Sequence, residues 1–347
     1  MFGSAGGRRR KLAWFGAVLV ALGLPAGWYF GEGGARWREV IELRAMCAGT
    51  VDSAALRELY GRPEQVRGHV ESPGAERLTR CWATGPDPDG STWIAVSWGD
   101  SGARLALDRM GWERSTQWSF NPVVPLGSGW SGVLTPGKYR PMVVVALPCT
   151  GAAAGKHLVV SVELAGFELE ASTTGEPFDS PAQRARTGRL VTGVAERASD
   201  QWGCGAAPGN RIEDVVGPSS RVAREAATPD GSCAGVGGRV DEVPADAYAP
   251  LEECETLLPW KGGRYGLTLS AAYPPFAGAM RSFVGAGAAG PGSSGQLRWA
   301  TAACSGGEAL YLVRETAPGS AVTARDALAG FARESAKRHG CAEPVLP

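Results

Sequence analysis

Histidine is almost missing from this chain: there are three in 347 residues, His69, His157 and His339, set far apart. No Cys-x-x-Cys spacing occurs either, so no metal site is expected. The sequence also lacks Gly-x-Ser-x-Gly, Ser-x-x-Lys and His-Glu-x-x-His, the motifs that place a nucleophile or a metal-bound water on a scaffold. Charge of one sign is not in excess, because 35 Lys and Arg face 35 Asp and Glu. That balance points to neither nucleic acid nor an anionic surface as a partner. Lysine is scarce, and no cofactor fingerprint is found, so no cofactor is expected.

Two stretches imitate ligand loops and fall short. Gly151-Ala152-Ala153-Ala154-Gly155-Lys156-His157 is one residue short of a phosphate loop, and His157 stands where Ser or Thr would hold magnesium. It reads as a hairpin of small residues. Asp87-Pro88-Asp89-Gly90-Ser91 opens like a calcium loop, but Trp93 and Val96 follow where oxygen ligands are needed, so it reads as a turn.

What is present in quantity is cysteine, eight in all, every one beyond an N-terminal apolar run. Arg8-Arg9-Arg10-Lys11 precede that run, residues 12–30, which carries no charge. As a helix it would span about 28 Å, roughly one bilayer core. A cleavable signal would be shorter and end in a small-x-small site. Here Leu24-Pro25-Ala26 is a poor site, and Trp28-Tyr29-Phe30 suit the outer interface. The expected topology places residues 1–11 in the cytoplasm and 12–30 across the cell membrane. A juxtamembrane segment 31–46 and the remaining chain would lie outside. An even number of exported cysteines reads as disulfides.

The cysteines form one pattern twice. Cys47-Ala48-Gly49, Cys81, Cys149-Thr150-Gly151 and Gly203-Cys204 are followed by Cys233-Ala234-Gly235, Cys254, Cys304-Ser305-Gly306 and Gly340-Cys341. Setting Cys81 on Cys254 places Ile94 on Leu267 and Val96 on Leu269. Setting Cys204 on Cys341 places Val191 on Leu328, Val194 on Phe331 and Ala195 on Ala332. This is an internal duplication. If both copies pair alike, 105 formal connectivities reduce to three. The expected set is Cys47–Cys81, Cys149–Cys204, Cys233–Cys254 and Cys304–Cys341, each tying an early segment to the next, or a strand to the end of the helix packed on it.

Each copy has readable elements. Asp52 can cap a short helix stopped by Gly61. Residues 92–98 read as a strand with Ile94, Val96 and Trp98 on one face. Residues 142–147 and 157–164 read as two more strands. Ser180-Pro181-Ala182-Gln183 opens a helix to about Gln201. Copy two repeats strands at 264–270 and 308–314 and a helix at 322–338. The fold class expected is α+β: a transmembrane helix, then domains 47–204 and 233–347. Each would be an antiparallel sheet packed by a long C-terminal helix and held by two disulfides. The Pro- and Gly-rich stretch 205–232 reads as a linker.

Trp112, Trp118 and Trp130 fall in or near the extra length of copy one, among Gly and Pro, and are the candidate ligand-binding residues. Cys47-Ala48-Gly49, a capped helix ending Leu59-Tyr60-Gly61, and Cys81-Trp82 together resemble small exported domains of actinobacterial lipoproteins and membrane-anchored proteins, mostly uncharacterised. The resemblance covers the opening of copy one and only Cys-Ala-Gly of copy two, with an apolar anchor in place of the frequent lipobox. It implies a small disulfide-paired α+β domain and carries over no catalytic residue. The function expected is a non-enzymatic envelope protein that binds a protein or glycan, or serves as a scaffold, outside the membrane. The alternative is a cell-envelope hydrolase whose site is assembled from distant residues.

Overall fold

The computed structural model describes residues 43, 45–60, 66–71, 77–85, 90–111, 123–135, 140–165, 180–217, 222–224, 231–257, 265–283, 290–315 and 323–347. The apolar run 12–30, Trp112, Trp118 and Asp87-Pro88-Asp89 lie outside them. Among the described residues no helix is long and apolar enough to cross a membrane.

A 3-10 turn at Met46–Gly49 and helix α1, Ser53–Tyr60, open the described chain. The Asp52 carboxylate accepts from the Ala54 N–H at 2.8 Å, as its capping position requires. The first half then runs β1 (Arg67–Glu71), β2 (Arg77–Thr84), β3 (Ser91–Trp98), α2 (Gly99–Met110), β4 (Val124–Pro125), β5 (Gly132–Thr135), β6 (Met142–Pro148), β7 (His157–Ala165) and α3 (Pro181–Gln201). The second half runs β8 (Val222–Arg224), β9 (Val240–Glu242), β10 (Leu251–Leu257), β11 (Tyr265–Ala272), α4 (Phe276–Phe283), β12 (Gly292–Ser294), β13 (Leu297–Cys304), β14 (Gly307–Glu315) and α5 (Ala324–Arg338).

Two antiparallel seven-stranded sheets result, ordered β1-β2-β3-β7-β6-β5-β4 and β8-β9-β10-β11-β14-β13-β12. The series β1-β2-β3-α2-β5-β6-β7-α3 recurs as β9-β10-β11-α4-β12-β13-β14-α5, so the duplication reaches element order and pairing. One register differs from the ungapped alignment. Cys81 lies opposite Ile94, whereas Cys254 lies opposite Leu269, so the structural partner of Ile94 is Leu269 and not Leu267. The second hairpin is two residues longer. A shift of two keeps every side chain on its face, which is why the alignment still matched apolar with apolar.

All four disulfides are present, Cys47–Cys81, Cys149–Cys204, Cys233–Cys254 and Cys304–Cys341. The long helices end alike. Gly203 and Gly340 both take φ of +65°, and Cys204 and Cys341 donate back to Ser199 and Ala336. This is a Schellman end, with glycine in the left-handed position and cysteine just after it. The repeated Gly-Cys dipeptide is therefore a helix stop joined to a crosslink.

The strand reading of β3 places Ile94 and Val96 inward, and both are fully buried under α3 with Leu190, Val191, Val194 and Ala195. Leu328, Phe331 and Ala332 of α5 repeat this over the second sheet. Each sheet also carries a helix on its other face. Ala103, Ala106, Leu107 and Met110 of α2 and Phe276, Ala277, Ala279 and Met280 of α4 form a third core between the halves. The stacking is α3, first sheet, α2 with α4, second sheet, α5.

The stretch expected as a linker is a packed strap in its first part. Ile212 and Val215 are 1% and 2% exposed in the first core. The Arg184 Nε donates to the Val215 carbonyl at 2.7 Å. Glycine and proline reported the turns correctly, but not that the apolar residues between them dock on α3. Residues 222–224 then join the second sheet as β8.

Candidate ligand-binding face

Trp130, one of the three tryptophans singled out above, is 2% exposed. Its Nε1 donates to the Asn210 carbonyl at 2.7 Å, closing the strap over the turn that precedes β5. A Cβ on Gly209 would strike the indole ring, which shows how closely the strap lies on it. Trp130 is therefore a core residue and not part of a ligand face. Burying its ring while satisfying its N–H is the ordinary use of tryptophan under a loop.

Aromatic surface appears elsewhere. On the face of the first sheet that also carries α2, His69 of β1 lies opposite Trp82 of β2, Trp82 opposite Trp93 of β3, and Trp93 opposite Glu163 of β7. Side chains directly opposite on antiparallel strands stand close enough to pack. The three rings stack accordingly: His69 to Trp82 at 5.0 Å and Trp82 to Trp93 at 4.9 Å between centroids. The Arg80 guanidinium lies 4.8 Å from the Trp93 ring centre. Trp93 Nε1 donates to Ser91 Oγ at 3.1 Å. His69 is exposed, and both tryptophans are half-buried. Neighbours occupy both faces of Trp82, so the row turns ring edges to solvent.

Charges flank the row at both ends. Glu71 takes Arg80 at 3.2 Å and Arg77 at 3.9 Å, and Glu163 takes Arg140 at 3.3 Å and Arg109 at 3.4 Å. Each carboxylate thus serves two guanidiniums and leaves one positive charge over. A shallow recess beside the row is lined by Arg80, Trp93, Leu105, Arg109, Met142 and Glu163. The end of α2 supplies Arg109, and the alternation of β3 and β7 supplies Trp93 and Glu163.

The equivalent face of the second sheet is different in kind. Its row is Asp241, Glu255, Thr268 and Arg314. Glu253 stands where the first half has Arg80. Glu253, Glu255 and Thr268 are 1%, 1% and 3% exposed, and the Val123 N–H donates to Glu253 Oε2 at 3.2 Å. One face of the duplicated fold is open, aromatic and basic; the other is covered and acidic.

The second half holds a separate buried cluster. Ser335 Oγ donates to Glu252 Oε2 at 2.6 Å, Arg338 Nε donates to Oε1 at 3.0 Å, and His339 Nε2 lies 3.1 Å from Oε1. Tyr273 shares a hydrogen bond with Ser335 at 2.6 Å and stacks on His339 at 3.6 Å. Burial alone would raise the Glu252 pKa, but the hydrogen bond with His339 and the charge of Arg338 outweigh it and hold the carboxyl below its ordinary range. Burial pushes the Tyr311 phenol beside it up to about 12. Serine, histidine and glutamate are the residue types of nucleophilic catalysis. Here, however, the carboxylate takes the central place, and the fully buried hydroxyl donates to it instead of to the imidazole. The cluster pins the end of α5 to β10. Sequence reasoning passed over it, because Glu252 is one of three glutamates in Leu251–Leu257 and nothing in that stretch sets it apart from Glu253 and Glu255.

Among the described residues no group of His, Cys, Asp and Glu could hold a metal ion. Compared with protein-family models, with curated proteins and with solved structures, the chain gives no match, so the resemblance of the Cys47 to Trp82 stretch rests on its own residues.

Proposed function

We propose that the protein is a binding or scaffolding module of the cell envelope, anchored by residues 12–30 with its disulfide-paired part outside, and that the aromatic row on the α2-bearing face of the first sheet holds its ligand, an envelope protein or a glycan. The observation that carries this reading is the contrast between equivalent faces. Duplication supplied two, and only one retains a half-exposed row of rings set between guanidiniums. Stacked rings on a rigid sheet lose little entropy on binding, which suits them to recognition. Four disulfides accord with an oxidising compartment.

The test is co-sedimentation of the detergent-solubilised full chain with envelope isolated from its own host. Replacing Trp82 and Trp93 together by Ala should weaken retention by about tenfold or more, since two anchors of this kind each contribute about 1 kcal/mol or more. The melting temperature should stay close to that of the parent. Retention unchanged by the double substitution would remove the face from the reading.

A further inference from the structure

We infer that the ligand of this face is an anionic glycan polymer bearing repeated carboxylate or phosphate groups, an inference that rests on the ligand-face reading above. The two carboxylates that gather guanidiniums stand at opposite ends of the row, Glu71 on β1 and Glu163 on β7, and Arg80 reaches from Glu71 to lie over Trp93. Three inter-strand steps separate those strands, so the two centres lie about 14 Å apart. A single small anion meets one of them. A chain that repeats its charge meets both.

Between the centres the surface offers ring edges, and an aromatic edge is the positive side of its quadrupole. A neutral sugar would stack on a free ring face, but His69 and Trp93 occupy the faces of Trp82, and Arg80 lies over Trp93. An acidic peptide would add side chains that call for separate pockets, and the recess beside Trp93 is one shallow hollow. Guanidiniums already turned toward carboxylates are oriented for oxyanions. A polymer oxyanion can share Arg80 or Arg109 with Glu71 or Glu163 without breaking the pair, because each guanidinium carries five N–H donors.

The experiment titrates the full chain in detergent with polygalacturonate, inorganic polyphosphate, dextran and polyglutamate. The parent should bind polygalacturonate or polyphosphate, and whichever is preferred identifies carboxylate or phosphate as the group read. Raising salt from about 0.05 to 0.5 M should weaken that binding about tenfold or more. Arg80→Gln with Arg109→Gln should do the same at unchanged melting temperature, and dextran should not bind. Dextran or polyglutamate bound as tightly as either probe overturns the inference. So does failure of both polyanions to bind while envelope retention persists and still depends on Trp82 and Trp93, a result that leaves the binding face standing. Loss of that dependence overturns the face itself.

Discussion

Glu252 is one carboxylate that accepts from Ser335 and Arg338 and pairs with His339 in a place where water has almost no access. Removing one partner of such an arrangement costs more than the arrangement contributes, because the remaining charges stay buried. Glu252→Gln should therefore destabilise the chain by about 3 kcal/mol, read as a lowered denaturation midpoint. The folded pKa lies below the ordinary 4.5, so the ionised carboxylate contributes fully above that value. The contribution is lost as pH falls from there through the lowered folded pKa. The melting temperature of the parent should drop across that acid window, and Glu252→Gln should remove this part of the drop. Trp130 invites the opposite comparison with Trp82. Trp130→Ala empties a core site and should cost about 3–5 kcal/mol. Trp82→Ala, on a half-exposed row, should cost far less and act on ligand retention instead.

At the scale of elements, each long helix carries its own stop and its own tether. Ser180 Oγ accepts from the Gln183 N–H at 3.1 Å at the start of α3, and the Schellman glycines end α3 and α5 just before Cys204 and Cys341. Replacing Cys304 and Cys341 together by Ala should cost about 2–5 kcal/mol while leaving the helical circular dichroism signal, since the stop does not need the crosslink. Gly330 of α5 has a different duty. A Cβ there would collide with the Gly235 carbonyl of the Cys-Ala-Gly turn, so Gly330→Ala should cost about 1–3 kcal/mol by forcing helix and turn apart. The equivalent Gly193 meets only a long arginine side chain at 3.4 Å, and Gly193→Ala should be tolerated. Two helices were not expected from the sequence. The stripe Ala103, Ala106, Leu107, Met110 of α2 has helical spacing, but Gly99 and Gly102 dilute it. In α4 the preceding Pro274-Pro275 reads as a breaker, although it also admits a helix beginning right after it.

For the whole molecule, those two helices decide the matter of independence. Phe276 and Met280 of α4 pack with Leu107 of α2 in one core that also takes Val144 and Leu312 from the two sheets. Phe276→Ala should remove about 3–5 kcal/mol, and thermal unfolding should remain a single transition in parent and variant. Two resolved transitions would mean that the halves unfold separately. Net charge is zero for the chain, yet the aromatic row on the α2-bearing face of the first sheet is set among guanidiniums and its counterpart on the second is acidic. A sum over the chain says nothing of where charges lie, which is why composition pointed to neither nucleic acid nor an anionic surface. The topology expected for residues 12–30 belongs at this scale as well. Protease added to intact spheroplasts should digest the part beyond residue 31, and protection until lysis would reverse the orientation.

Local chemistry was legible in the sequence wherever a residue type has one physical use. The Gly-Cys stops, the Ser180 cap, the alternation of β3 and the pairing of eight cysteines were all readable, because each depends on neighbours along the chain or on a repeat that cuts the connectivities to three. The face of β3 that carries Trp93 was readable too, since period two separates it from Ile94 and Val96. What the sequence could not say is which of the two faces carrying α2 and α4 has its outlying row covered. Trp93 and Thr268 occupy equivalent places on equivalent strands, and only the packing of α2, α4 and β4 leaves one half-exposed and buries the other. Likewise Trp130 and Trp82 are alike as letters. The strap at Asn210 closes over one, and the open edge of the sheet leaves the other in reach of a ligand. Exposure is set by what arrives from distant parts of the chain, and no local pattern encodes that arrival.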